Sequence, residues 1–221
     1  MGKTDHSIDN TWQSLMKDLI KVPAKKKHAI GAKHKQIIDG ACKVFFKKGF
    51  HPATIRELSE SAGMTMGQMY HYISSKDDIL LLMHKHVQES WYNYIKTSMC
   101  DEIEEPKHKL KNAIKLTLDY MNENKELIQF IYTESKYLNS NYLKTVLDVD
   151  NKIVVQFWRN LLIDIFGEDS SDCYIDLAGN LIAYIMTFYA MRGWNLKGIK
   201  KSKMDDFIIE FIFMGLNFNE C

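Results

Sequence analysis

Apolar residues in this chain recur every three to four positions, and no run alternates in twos between turn residues, so helices are expected throughout and sheets nowhere. Ile37, Ala41, Val44 and Phe45, with Lys48 continuing the spacing, mark one helix over 33–48, which Lys47, Lys48 and Gly49 close. A long helix is expected from Lys76 to about Ser98, ending near the acidic stretch 101–106. Further helices are expected at 107–122, 126–138, 142–166, 173–196 and 203–218, with loops at 167–171 and 197–202. Near the N-terminus, Trp12, Leu15, Met16, Leu19 and Ile20 repeat at the spacing of a short amphipathic helix. Such a helix would pack on its own domain or on a partner rather than on a membrane. The three prolines, Pro23, Pro52 and Pro106, all lie between periodic segments, as an all-helical chain requires. The expected fold is all-α, with about nine helices.

The region between Thr54 and Asp78 carries the most local information. Thr54 with Glu57, and Thr65 with Gln68, read as capping boxes: the hydroxyl takes a free amide of the first turn and the third residue reaches back. Ser75 with Asp78 is a looser version with a shorter acid. Gly63, between the first two, suits the left-handed residue that ends a helix. One helix is therefore expected over 55–62 and a second from Met66, joined by a turn at 63–65. That is a helix-turn-helix, whose second helix commonly lies in a DNA major groove.

Charge sharpens this reading. Residues 1–50 hold eleven Lys and four Asp with no Arg or Glu, a net of +7, so the rest of a chain of net charge +1 carries −6. A basic N-terminal end ahead of an acidic body suits contact with nucleic acid at that end. Cys42, Cys100, Cys173 and Cys221 show no metal spacing and imply free thiols in a reduced, cytoplasmic compartment. No apolar leader and no membrane-length apolar run is visible. No nucleophile elbow, phosphate-binding loop, dinucleotide fingerprint or zinc-protease motif occurs, and His84 and His86 fall on different faces of a helix. Neither an enzyme nor a metal or other cofactor is expected.

The run Gly49-Phe50, Thr54 to Leu58, Ala62-Gly63, Gly67, Tyr70 to Tyr72 and Lys76 resembles the tetracycline-repressor (TetR) family of bacterial regulators, over residues 33–82. It departs from the family pattern at Met66, Met69 and the Tyr72-Ile73 pair. The resemblance implies a homodimer: three N-terminal helices bind double-stranded operator DNA, and C-terminal helices bind a small molecule and dimerise. Ligand binding would shift the two reading heads and release DNA. The implied division is an N-terminal extension over 1–28, a helix-turn-helix domain over 29–75, and an effector-binding and dimerisation domain over 76–221. The competing reading is a helical ligand-binding or interaction protein without sequence-specific DNA binding.

By the same resemblance, Arg56 reaches a base edge or phosphate, although it could instead pair with Glu57 or Glu60 on its own helix. Thr65, Met66, Gly67 and Gln68 open the recognition helix, with the Gln68 amide suited to adenine. Tyr70 and His71 face the sugar-phosphate backbone or thymine methyls, whereas Tyr72 can pack inward. Lys76 matches the family's phosphate-clamping lysine, and Lys25, Lys26, Lys27, Lys33 and Lys35 add phosphate contacts.

In the C-terminal half, Leu127, Phe130, Ile131 and Leu138 share a helical face with Glu134. That carboxylate either pairs with a cation such as Arg159 or borders a ligand pocket. Arg159 either neutralises an acidic ligand or only satisfies Glu134. Trp91, Tyr120, Tyr137, Trp158, Met186 and Tyr189 are candidate pocket residues, as are Tyr94, Phe157 and Phe188; the alternative for each is plain core. The stretch from Phe130 to Leu138 is also similar to a Y-x-E-S-x-x-L region of TetR-family regulators of fatty-acid metabolism, implying an apolar or acyl-CoA-like effector. The last two helices, over 174–194 and 207–218, are apolar around much of their circumference and suit a dimer seam.

Overall fold

The computed structural model describes residues 27–99, 105–167 and 172–216, and every regular element among them is helical. The expected amphipathic helix around Trp12 to Ile20, together with Lys25 and Lys26, lies outside the described residues. Helix α1 spans Lys27–Lys48, α2 Ile55–Ser61, α3 Met66–Tyr70 and α4 Lys76–Ser98. Then come α5 (Pro106–Glu123), α6 (Lys125–Glu134), a tight 3₁₀ turn (Ser135–Tyr137) and α7 (Ser140–Asp150). A π turn at Asn151–Val155 leads into α8 (Gln156–Phe166). Helices α9 (Asp172–Met186), α10 (Phe188–Arg192) and α11 (Lys201–Gly215) complete the order, with a second 3₁₀ turn at Gly193–Leu196.

Three expected helices are broken. The 126–138 helix ends at Glu134, where the chain tightens into the 3₁₀ turn. The 142–166 segment is split by the π turn, which inserts one residue into the ladder without interrupting helical hydrogen bonding. The 173–196 segment breaks at Thr187, whose hydroxyl and amide both bond back to the Tyr184 carbonyl. No single helix among the described residues is long and apolar enough to cross a membrane; Cys173–Met186 and Phe188–Leu196 reach that length and apolarity only together, across a 48° bend.

The described residues divide into two compact units: those up to 89 together with 129–149, and those from 90 to 128 together with those from 150 onward. In the first unit, Ile37, Ile38, Ala41 and Phe45 of α1, Leu58 of α2, Met69 of α3 and the run Ile79 to Met83 of α4 are all buried. Gly40 lets α1 and α2 touch backbone to backbone: a Cβ there would sit 2.6 Å from Ala62 Cα. The crossing is pinned by Ser61 Oγ donating to the Gly40 carbonyl (2.9 Å) and by Gln36 Nε2 donating to the Ala62 carbonyl (2.6 Å). Residues 130–142 close over this core. Phe130 stacks on Phe45 at 5.1 Å, Tyr137 stacks on Phe50 at 5.8 Å, and His84 Nε2 meets Ser135 Oγ at 3.0 Å. Tyr142 donates to the buried Asp78 carboxylate at 2.6 Å.

The second unit is built around Trp91 and Trp158, both essentially buried. Trp91 donates its indole N–H to Thr117 (3.2 Å) and packs edge-on against Phe157. At the start of α11, Lys201 donates to both Asp119 and Asp205 at 2.5 Å, and Tyr189 donates to Asp205 at 2.5 Å. These contacts tie α5, α10 and α11 through one ammonium, two carboxylates and a phenol rather than through apolar packing. Leu177, Leu181 and Tyr184 of α9 and Phe207, Phe211 and Met214 of α11 are all more than half exposed.

Candidate nucleic-acid interface

The helix-turn-helix forms because local hydrogen bonds dictate where each helix begins and ends. Thr54 Oγ1 accepts from Glu57 N–H while the Glu57 carboxylate accepts from Thr54 N–H, so the first capping box is complete. The same reciprocal pair, Thr65 with Gln68, starts α3. Between them Gly63 takes φ 65°, and Gly63 and Met64 donate back to Glu60 and Ser59, closing α2 with a left-handed cap. The third signature forms as well: Asp78 N–H donates to the Ser75 hydroxyl (3.3 Å), and only the reach of the carboxylate is displaced by one residue. Asp78 accepts from Ser74 N–H (2.6 Å) as well as from the Ser75 hydroxyl, so its short side chain bridges both residues ahead of α4.

This leaves a connected surface of exposed side chains. Thr65, Met66, Gly67, Gln68, Tyr70 and His71 are all exposed, whereas Met69 on the same helix is wholly buried and anchors it. Arg56, 78% exposed, pairs through Nε with Glu60 at 3.0 Å; a surface i,i+4 pair of this kind contributes little and holds the guanidinium only loosely. Tyr72 turns inward and meets His34 edge-on. Burial, with Lys85 nearby, pushes the His34 imidazole down to about 4, so it is neutral at ordinary pH.

Not every lysine on this unit is free. Lys33 donates to Gln36 (2.9 Å), and Lys48 donates to Glu57 (2.6 Å). The bond from Lys48, with those from Thr54, holds the Glu57 carboxyl down at about 2. Lys76 is turned into its own fold: its ammonium donates to the carbonyls of Phe50 (2.7 Å), His51 (2.9 Å) and Ala53 (3.1 Å), and sits over the Phe50 ring. Sequence reasoning missed this second role, and it missed the Tyr142 bond to Asp78. Carbonyls occur at every residue, and the partners are 23–26 and 64 positions apart, so no local pattern announces either contact.

The candidate effector residues fall in both units. Phe130 and Tyr137 pack in the first on Phe45 and Phe50, with half-buried Glu134 on the same stretch. Trp91, Tyr120, Trp158, Arg159, Met186 and Tyr189 belong to the second. There Trp91 and Trp158 lie together, Tyr120 bonds Ser90 (2.6 Å) and faces Tyr94, and Met186 and Tyr189 are buried farther along. The acidic partner of Arg159 is Asp176 on α9, where the sequence suggested Glu134. Arg159 Nε and Trp158 Nε1, adjacent in the chain, are both buried without a protein acceptor. Among the described residues no group of three His, Cys, Asp or Glu side chains is placed to hold a metal.

Residues 37–83, which contain this whole surface, match the family described as bacterial regulatory proteins, tetR family. Across a longer stretch the chain is 27% identical over 159 residues to an uncharacterized HTH-type transcriptional regulator, YerO, of Bacillus subtilis strain 168. That match covers 66% of this chain and 51% of the relative, so the chain spans about half of that protein's length. Among solved structures, the fatty acid degradation regulator FadR of Bacillus halodurans superposes with a TM-score of 0.66 at 20% identity, covering 84% of this chain and 96% of that one. AibR, solved in complex with isovaleryl coenzyme A and operator DNA, superposes with a TM-score of 0.66 at 12% identity, covering 81% and 97%. At these identities the structural matches establish a shared fold.

Proposed function

We propose that this chain, whose residues 37–83 match the tetR family of bacterial regulatory proteins, is a transcriptional regulator of that family that binds operator DNA as a homodimer and is released by a small effector. The observation that carries the DNA role is the exposed face of Arg56, Thr65 to Gln68, Tyr70 and His71. It is built on two complete capping boxes inside the family-matching segment. Such a face, 5 residues of helix resting on buried Met69, presents side chains to a major groove rather than forming a core. Lys33 and the other lysines of the basic N-terminal segment add charge attraction without sequence information.

Dimerisation is supported by the α9 and α11 face. Six large apolar side chains in the open would be costly on a monomer, and a second copy of the same face would cover them. An apolar, acyl-CoA-like effector is supported by the aromatic group around Trp91 and Trp158, and by the two adjacent buried donors that lack a protein acceptor. The folds shared with a fatty acid degradation regulator and with an isovaleryl-CoA complex point the same way. The test is sedimentation of the protein with a duplex from upstream of its own gene, with and without a panel of coenzyme A esters. The proposal expects two protomers per duplex and dissociation by at least one ester. A monomer that binds every duplex equally would favour a helical interaction protein, and a complex indifferent to every ester would remove the effector class.

A further inference from the structure

The hydrogen bonds that start α3 also restrict what Gln68 has left to offer. A backbone N–H can be met only by an acceptor, so the 2.9 Å contact from Thr65 N–H fixes the orientation of the amide, with Oε1 facing back into the cap. The reciprocal bond from Gln68 N–H to Thr65 Oγ1, 3.1 Å, holds the same turn from the other side. One of the two lone pairs of Oε1 is thus committed to the cap, and the exposed side chain keeps Nε2, a donor with two hydrogens, in full. The bidentate pairing of a glutamine with adenine needs both halves of the amide, one donating to N7 and one accepting from N6. Gln68 in its cap has the donating half whole and an accepting half already shared with Thr65 N–H. Arg56 shows the same polarity: Glu60 takes its Nε, leaving the terminal nitrogens, which are donors.

We propose that Gln68 reads its base by donation alone and therefore selects guanine, whose O6 and N7 are both acceptors in the major groove, over adenine. This rests on the DNA-binding reading above and specifies its polarity. Guanine takes both Nε2 hydrogens without disturbing the cap, and thymine, with a single O4 acceptor, is second best. Adenine offers one acceptor, N7, beside an amino group that would have to share the cap-bound Oε1, and cytosine offers only an amino group, so both rank below guanine.

The polarity can be inverted without dismantling the helix. Gln68→Glu keeps the third residue of a capping box, since a carboxylate oxygen meets Thr65 N–H equally well, and replaces the donor with an acceptor. The experiment is selection from a randomised duplex library with the wild type, Gln68→Glu and Gln68→Ala, each first checked for a cooperative thermal transition well above the selection temperature. The expected result is one position per half-site at which the wild type takes guanine. Gln68→Glu takes cytosine or adenine there, and Gln68→Ala loses a preference of about tenfold, with the other positions unaltered. Adenine or cytosine at that position in the wild type would overturn the assignment, because the accepting half of the amide would then be setting the choice of base. So would identical selected sites for all three proteins, which would make Gln68 a capping residue only. If the wild type enriches no sequence at all, the DNA-binding reading itself fails, and this assignment fails with it.

Discussion

Replacing Lys76 by Met separates two roles that one ammonium could fill. In this fold that ammonium meets three carbonyls at the corner between α1 and α2, and it begins α4, so it joins two elements of the DNA-binding unit. Hydrogen bonds from a charged group are each worth roughly 1.5–3 kcal/mol net. Two reductions apply. The His51 carbonyl contact is exposed, and burial holds the Lys76 pKa below the ordinary lysine value, so desolvation opposes part of the gain. Met retains the aliphatic stem over Phe50 and removes the donors. The expected loss is about 2 kcal/mol, a fall in the thermal midpoint of roughly 4–8 °C for a chain of this size. Circular dichroism melting measures the midpoint, and DNA titration across salt measures how many phosphates are engaged. A structural Lys76 lowers the midpoint and leaves the salt slope of the surviving folded protein unchanged. An unchanged midpoint with a slope flattened by about one counterion would refute this reasoning and return Lys76 to the phosphate contacts.

Tyr142→Phe deletes the bond to the buried Asp78 carboxylate, and chemical denaturation should show a loss of about 1–3 kcal/mol; no loss would mean that Ser74 and Ser75 satisfy that carboxylate unaided. Gly40→Ala drives a methyl into the Ala62 backbone and should cost about 1–3 kcal/mol or more by the same assay, since neither helix can move without opening the Gln36 and Ser61 bonds. Burial pushes both His84 and His34 down to about 4 from an ordinary value near 6.5. In the range between those values the unfolded chain binds protons that the folded chain refuses. Stability from these groups is therefore full above about 6.5 and lost as pH falls toward 4, at up to roughly 1.4 kcal/mol per pH unit for each histidine. Urea midpoints followed from pH 7 to pH 4 check this, and His84→Gln should flatten the dependence by one proton.

What the sequence discloses about this fold follows from the range of the interactions concerned. The starts of α2, α3 and α4 are legible because each is set by residues three or four apart, and both threonine boxes form as their spacing implies. The α9 and α11 faces are legible for a similar reason: apolar residues in excess of one core show in the periodicity. The breaks at Glu134, in the π turn and at Thr187 are not legible, because apolar spacing persists across a single inserted or tightened residue. Arg159 illustrates the third case. Its burial is apparent from its apolar neighbours, but the choice of Asp176 as partner depends on how α8 and α9 pack, with Arg159 Cγ only 3.2 Å from a Cβ placed at Gly179. In the interface itself, residue identity names the exposed side chains, and only geometry reveals which of their hydrogen-bonding groups are already in use.

The most direct measurement is fluorescence anisotropy of a labelled duplex from upstream of the gene, titrated with the protein from low to moderate salt and challenged with unrelated duplex. The account predicts binding that is sequence-selective and weakens steeply with salt, because the basic end of the chain displaces counterions while the α2 and α3 face selects bases. Weak binding that is equal on every duplex, or binding insensitive to salt, would contradict it.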